Sequence, residues 1–412
     1  MINVKKIRED FPMYKNVPTM SNQPLVYFDN AATTFKPRQV IDAADEYYEY
    51  FCANPLRGDY ELAHTVDVKY EAARARVAKF INAEENEIAF TAGASMSLNS
   101  IAYGLEPWLN EGDEILLSEA EHASNVLPWF SIAEQRKAKI TYVELNKEGR
   151  LTLENFKKAL TPHTKIVSLA QVTNVLGYLV DVKAFAKVAH EHGCIFVVDG
   201  AQSVPHMKVD VKDLDCDFLA FSGHKMLGPT GIGIMYGKYE LLKKMKPLMS
   251  GGGMSSRFET CGDISYKIPP IKFEAGTQNI SGAFGIAAAC DYLDSIGMDN
   301  IREHEDELRK LMIDGLKKID NVIIYNENAE SGIVTFNIKN VFAQDAASYL
   351  SYKGIAVRSG NHCAQILLSF LGTDATVRAS LYFYNTKEDV QQFVEACASC
   401  GKGGNFLDAF FN

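Results

Sequence analysis

A chain of 412 residues with 47% hydrophobic and 23% charged side chains has the profile of a globular protein, long enough for one large domain and a smaller one. A formal net charge of -10 without basic runs leaves no electrostatic footprint for nucleic acid and suits an anionic membrane surface poorly. The opening MINVKKIREDFPMYKN lacks a secretory leader, no apolar run reaches the length of a membrane span, and eight scattered cysteines fit neither a disulfide framework nor a metal cluster, so a cytoplasmic protein is expected.

Residues 65–82 read as a helix that buries Ala73, Val77, Phe80 and Ile81. From 87 to 237, short apolar runs alternate with segments of helical period. The candidate strands are 87–91, 114–118, 139–145, 165–172, 194–199, 217–222 and 231–237. Between them lie helices such as 181–193, where Val182, Phe185, Ala186 and Ala189 share one face. Such alternation predicts a mostly parallel sheet covered on both sides. Only the eight residues 223–230 separate the last two strands, too few for a helical crossover, so one antiparallel strand is expected there.

After about residue 283 the texture changes. A long helical region runs to 319, followed by a strand at 332–338, a helix at 344–354 and strands around 355–358 and 376–384. Thr386 with Asp389 resembles a capping box that opens a final helix. The predicted class is α/β, with a large seven-stranded, mostly parallel sheet domain over 22–282 and a smaller α+β domain over 283–412. Residues 1–21 are assigned to pack with the latter.

Ligands of open α/β sheets bind outside the carboxyl ends of the strands, and the reactive residue types fall there one after another. Gly93-Ala94-Ser95 follows the first strand and opens a helix, His122 follows the second, and Asn174 lies past the fourth. Asp199 ends the fifth, with Gln202 three residues on, and Ser222, His224 and Lys225 end the sixth. A lysine whose pKa is lowered can hold a carbonyl cofactor as a Schiff base. Pyridoxal 5'-phosphate (PLP) needs such a lysine, a carboxylate for its pyridinium nitrogen, and donors for its phosphate. Lys225, Asp199 and the group Ser95, Ser222 and His224 supply all three. Other features carry nothing: Cys397 and Cys400 form one pair without a second, and His190 and His192 face different sides of a helix. Gly228, Gly231 and Gly233 precede a strand, in the wrong order for a dinucleotide fingerprint.

The segments VVDGAQSV (197–204), DCDFLAFSGHKMLGPTGIGIMY (215–236) and RSGNHCA (358–364) resemble the cysteine desulfurase and selenocysteine lyase family, within the class V aminotransferase superfamily of fold-type I PLP enzymes. FDNAATTFKP (28–37), EHASNVLPW (121–129), TNVLG (173–177), FEAGTQN (273–279) and VRASLYFYNT (377–386) match as well. The short RSGNHCA loop and the stretch around 253–272 are similar to the type II, SUF-system branch.

The resemblance implies a transferase that converts L-cysteine to L-alanine and passes the sulfur, as a persulfide on Cys363, to a small sulfur-acceptor protein for iron–sulfur cluster assembly. It implies a homodimer. Lys225 would carry PLP, Asp199 would hold the pyridinium, Gln202 would bond the phenolic oxygen, and His122 would stack on the ring and move protons. Ser222, His224 and Ser95 would bind phosphate, and Thr277 would reach the phosphate in the neighbouring subunit. Asn174 and Arg378 would fix the substrate carboxylate, Arg358 and His362 would favour the Cys363 thiolate, and Arg57 would stand at the entrance. The alternatives within the resemblance are a selenocysteine lyase, a cysteine sulfinate desulfinase or another class V aminotransferase. The chain departs from the family pattern at Gly93-Ala94-Ser95-Met96, where Gly-Thr-Thr-Glu is usual, at Asn361, a position often histidine, and in GDYELAH after Arg57.

Overall fold

A computed structural model describes residues 2–55 and 58–401. Its centre is a seven-stranded sheet: β1 (Ile88–Thr91), β2 (Glu114–Ser118), β3 (Lys139–Val143), β4 (Thr164–Ala170), β5 (Ile195–Asp199), β6 (Phe218–Ser222) and β7 (Gly233–Gly237). All seven coincide with the apolar runs of the sequence, trimmed at their ends. The spatial order is β1-β7-β6-β5-β4-β2-β3. β7 is antiparallel to both neighbours, as its short connection requires, and every other pairing is parallel.

Strand residues alternate between two cores, as a period of two demands. Phe90, Leu116, Leu169, Phe196, Val198, Phe221 and Ile234 join one cluster. Ala89, Ile115, Leu117, Val197, Ala220 and Met235 join the other. The first face is covered by α1 (Glu61–Phe80), α3 (Val182–Glu191) and α4 (Ile280–Ile296), whose buried residues share its core. The second carries α2 (Ala94–Leu105), with Leu98 and Ile101 inside. On α3 the four expected residues are all buried. α1 begins earlier than the pattern suggested, and Phe80 at its end is half-buried, because the chain turns away there and Ile81 takes the interior position.

A four-stranded antiparallel sheet, ordered β8-β9-β11-β10, comprises β8 (Val322–Ile324), β9 (Ile333–Ile338), β10 (Arg358–Gly360) and β11 (Thr376–Ser380). It packs with α5 (Met298–Leu316) and α6 (Lys387–Ser399) around Leu308, Met312, Phe336, Val377, Val390 and Phe393. Three expectations are corrected here. The long helical region is two helices, because Gly297 has φ +89° and breaks the run between α4 and α5. The segment 355–358 is split: Ile355–Ala356 pairs in parallel with Val26–Tyr27, while Arg358 begins β10. The run 376–384 is strand only to Ser380, and Tyr382–Asn385 forms a turn. Every residue from Thr376 to Tyr384 is buried, and a buried turn cannot be told from a buried strand by periodicity. The capping box forms as read, with Thr386 and Asp389 exchanging hydrogen bonds.

The N-terminal segment is tied down by Phe11, which packs on Tyr292, Phe383 and Tyr384, and by Arg8, which pairs with Asp389.

Candidate active site

The carboxyl ends of β1, β2, β4, β5 and β6 open on a cavity of about 300 Å³. Ser95, His122, Asn174, Asp199, Gln202, Ser222, His224, Lys225, Arg358, Cys363 and Arg378 all line it. The structure therefore gathers all but two of the candidate residues at one place. Thr277 is exposed, ahead of α4, and lies outside this cavity. Arg57 falls outside the described residues.

Close backbone approach builds the cavity's anion-binding corner. Gly93 has φ +151°, and a Cβ on Gly233 would stand 2.4 Å from the Gly93 Cα, so glycine is required for β7 to pass this close to the start of α2. The Ala94 amide donates to Ser222 Oγ at 2.8 Å, leaving that hydroxyl's own proton free to donate. Ser95 Oγ lies 2.6 Å from Ser124 Oγ. These hydroxyls, a helix N-terminus and His224 form a subsite for an anion.

The middle of the cavity holds a buried amine and a buried acid. Burial pulls the Lys225 amine down to about 8, against the opposing pull of Asp199. Burial likewise raises Asp199, which accepts the Ala201 amide at 2.9 Å on Oδ1. His122 is pushed down to about 4 by burial and then by the Lys225 and Arg378 charges, so its ring is neutral at pH 7. Its Nδ1 accepts the Ser124 amide at 3.0 Å, which leaves the proton on Nε2. His224 is also lowered to about 4, by burial and by Lys225 and Lys36.

The far end holds a buried cation. Arg378 is buried, donates to the Asn174 carbonyl at 2.7 Å, and stands 3.8 Å from its acid partner Asp29. Among the described residues its Nε has no partner, nor have the buried Asn174 Oδ1 and Gln202 Oε1. Unpartnered polar atoms buried around a cavity are costly unless a ligand completes them. Burial lowers Arg378 to about 10, still charged at neutral pH.

Cys363 is exposed at the same cavity. His362 and Cys363 have φ of +51° and +56°, a left-handed pair on non-glycine residues. The pair is held from four sides. Asn174 Nδ2 donates to the His362 carbonyl at 2.8 Å, and the Ala123 amide donates to the Cys363 carbonyl at 2.7 Å. The Cys363 amide bonds Asn361 Oδ1 at 3.1 Å, and His362 Nε2 lies 3.0 Å from Thr376 Oγ1.

Two expectations change. His362 does not bring positive charge to the thiol, because burial drives its imidazole down to about 3 and keeps it neutral. Arg358 lines the cavity, but its Nε and Nη2 donate to the two Asp29 carboxylate oxygens, at 3.0 and 2.8 Å, so part of its guanidinium braces the cavity wall.

Sequence reasoning assigned no role to Asp29, Lys36, Glu121 or Ser124. All four lie in segments that matched the family (28–37 and 121–129), but their roles depend on partners distant in the chain. Glu121 is buried, accepts from Ser118, Asn125 and the Ala170 amide, and is pushed up to about 7 by burial, one residue before His122.

The aminotransferase class-V family model matches residues 26–393. A probable cysteine desulfurase from Halalkalibacterium halodurans is 46% identical over 392 residues, covering 94% of this chain and 96% of its own. A cysteine desulfurase from Haloferax volcanii is 42% identical, covering 96% of each chain. Among solved structures, the apo cysteine desulfurase from Thermococcus onnurineus NA1 superposes with a TM-score of 0.92 at 39% identity, covering 98% of this chain and 99% of that one. The chain belongs to the class-V aminotransferases, PLP-dependent enzymes, and within them to the cysteine desulfurase group.

Proposed function

We propose that this class-V enzyme is an L-cysteine desulfurase in which the cysteine sulfur moves to the Cys363 thiol. In balance, L-cysteine and the Cys363 thiol give L-alanine and a Cys363 persulfide: the carbon–sulfur bond of the substrate breaks, a sulfur–sulfur bond forms, and the carbon gains the hydrogen. The observation that carries this reading is one cavity holding a buried amine with a buried acid, an arginine receptor and an exposed thiol.

The residues fit PLP. Lys225 would hold its aldehyde carbon, Asp199 its ring nitrogen, the second N–H of Gln202 its phenolic oxygen, and Ser95, Ser222, His224 and the start of α2 its phosphate. Bound there, PLP supplies an electron sink for bonds at the substrate's α-carbon. Asn174 and Arg378 orient the substrate carboxylate, with the unpartnered Arg378 Nε aimed at that task. His122 offers Nε2–H as a neutral donor over the cavity. The loop bonds hold Cys363 at the wall of the same cavity, and its exposure would leave a persulfide open to an acceptor.

Further parts of the proposal rest on the family resemblance. The acceptor is a small sulfur-carrying protein, and iron–sulfur assembly is the destination. The enzyme is a homodimer in which Thr277 completes the partner's phosphate subsite. Division into domains 22–282 and 283–412 draws support from two sheets with separate cores, with α4, which runs past that boundary, packed on the large sheet. A cytoplasmic location is supported by eight free cysteines. No helix among the described residues is long and apolar enough to cross a membrane.

Alanine and sulfide release from L-cysteine with reductant, wild type against Cys363→Ala, tests the proposal. Stoichiometric alanine and sulfide from wild type, reduced about a thousandfold or more in the variant with PLP still bound, is expected. Wild type that releases neither product removes L-cysteine as the substrate.

A further inference from the structure

Lys36 has no part in the roles above and does not line the cavity, yet its amine reaches the turn that carries Lys225. Its segment runs against the turn Gly223–Lys225, and four donors from it converge on one atom, the His224 carbonyl oxygen. Lys36 Nζ stands at 2.8 Å, the Thr34 amide at 3.0 Å, Thr33 Oγ1 at 3.1 Å and Thr34 Oγ1 at 3.2 Å. That carbonyl belongs to the peptide bond joining His224 to Lys225. Thr34 Oγ1 also accepts the Leu227 amide at 3.0 Å, so the segment clasps the turn on both sides of Lys225.

A carbonyl oxygen has two lone pairs, and Thr33 and Thr34 alone would saturate it. Satisfying His224 therefore does not require an amine. Lys36 Nζ also donates to the Thr34 carbonyl at 2.6 Å, but among the described residues no carboxylate pairs with it. Burial pulls this amine down to about 7. The buried amine is held by carbonyl and hydroxyl acceptors in place of an acid partner, Thr33 Oγ1 at 3.5 Å being the third.

We propose that Lys36 is a positioning residue for Lys225, its amine locking the His224–Lys225 peptide plane and so the direction in which the Lys225 side chain enters the cavity. The proposal rests on the reading of Lys225 as the lysine that holds PLP.

The test uses full-length Lys36→Met and Lys36→Arg, each reconstituted with PLP. The measurements are the PLP dissociation constant, the pH midpoint of the visible absorbance of bound PLP, and the alkylation rate of Cys363. The Met variant should bind PLP roughly tenfold more weakly, the scale of one lost charge-assisted hydrogen bond. Its absorbance midpoint should move by about half a unit or more, with the Cys363 rate unchanged, while Arg restores most of both losses. A Met variant with wild-type affinity and midpoint overturns the proposal, as does an Arg variant no better than Met. If the Met variant does not fold, Lys36→Gln is judged by the same readouts. Wild type without a borohydride-reducible link to PLP, or Lys225→Ala that keeps one, would instead defeat the assignment of Lys225 itself.

Discussion

At the cofactor end of the cavity, Asp199 and Ser222 are the last residues of central strands and Lys225 sits on the turn directly after one, inside a sheet packed on both faces. At the thiol end, Cys363 sits three residues beyond the edge strand β10, exposed, in a left-handed pair held by bonds to Asn174, Ala123, Asn361 and Thr376. The first end is fixed by burial and strand register, which also set its pKa values. The second is fixed by a handful of hydrogen bonds working against an unfavourable backbone, at about 1 kcal/mol or more for each left-handed residue. The two ends would suit the different tasks proposed for them: one to hold a cofactor through every turnover, the other to present sulfur and then give it up.

Substitutions can break this contrast at either end. The largest effect is expected from Lys225→Ala, which should lower desulfuration by about a thousandfold or more and remove covalent retention of PLP, read by gel filtration and absorbance. In wild type the free amine is the reactive form and the folded pKa is depressed to about 8. The rate of PLP loading should therefore rise as pH rises, by roughly tenfold from pH 7 to 9, and flatten above that. A flat loading profile would show that burial does not set the reactivity of this lysine.

Next comes Arg378→Lys. A point charge cannot reproduce a fork already engaged with the Asn174 carbonyl and open at Nε, so KM for L-cysteine should rise about 10- to 100-fold, with a smaller change in kcat. An unchanged KM would place the carboxylate elsewhere. The smallest effect sharpens the comparison from the thiol end. Cys363→Gly relieves a left-handed residue and should leave the fold as stable as wild type or more so by up to about 1 kcal/mol, while abolishing sulfur transfer. A clear fall in thermal midpoint would mean that the Cys363 side chain contributes packing that outweighs the backbone cost.

The seven strands of the large sheet were legible because each is a short, largely apolar run bounded by turn residues, and the antiparallel strand was legible from loop length alone. The ends of elements in the smaller sheet were not. Residues 376–384 are buried throughout, so nothing in their pattern marks where the strand stops and the turn at Tyr382–Asn385 begins. The cofactor-end residues were readable because they follow strands, and sequence order along a parallel sheet translates directly into position at its carboxyl edge. Cys363 was readable only through its motif.

By itself the sequence determined the class of fold, the strand ends on which the chemistry collects and the identity of the amine, the acid and the thiol. These follow from local pattern and motif. Only the tertiary structure decided which polar groups remain free for a ligand. Arg358 and Asp29 are 329 positions apart, yet their bidentate pair takes up Nε and Nη2 of Arg358, while the buried Nε of Arg378 has no partner among the described residues. His362 is neutral because the fold buries its ring against Thr376. Lys36 meets the lysine-bearing turn 188 positions away, at the His224 carbonyl. Partner choice of this kind depends on which segments the fold brings within about 3 Å, and no local pattern encodes that distance.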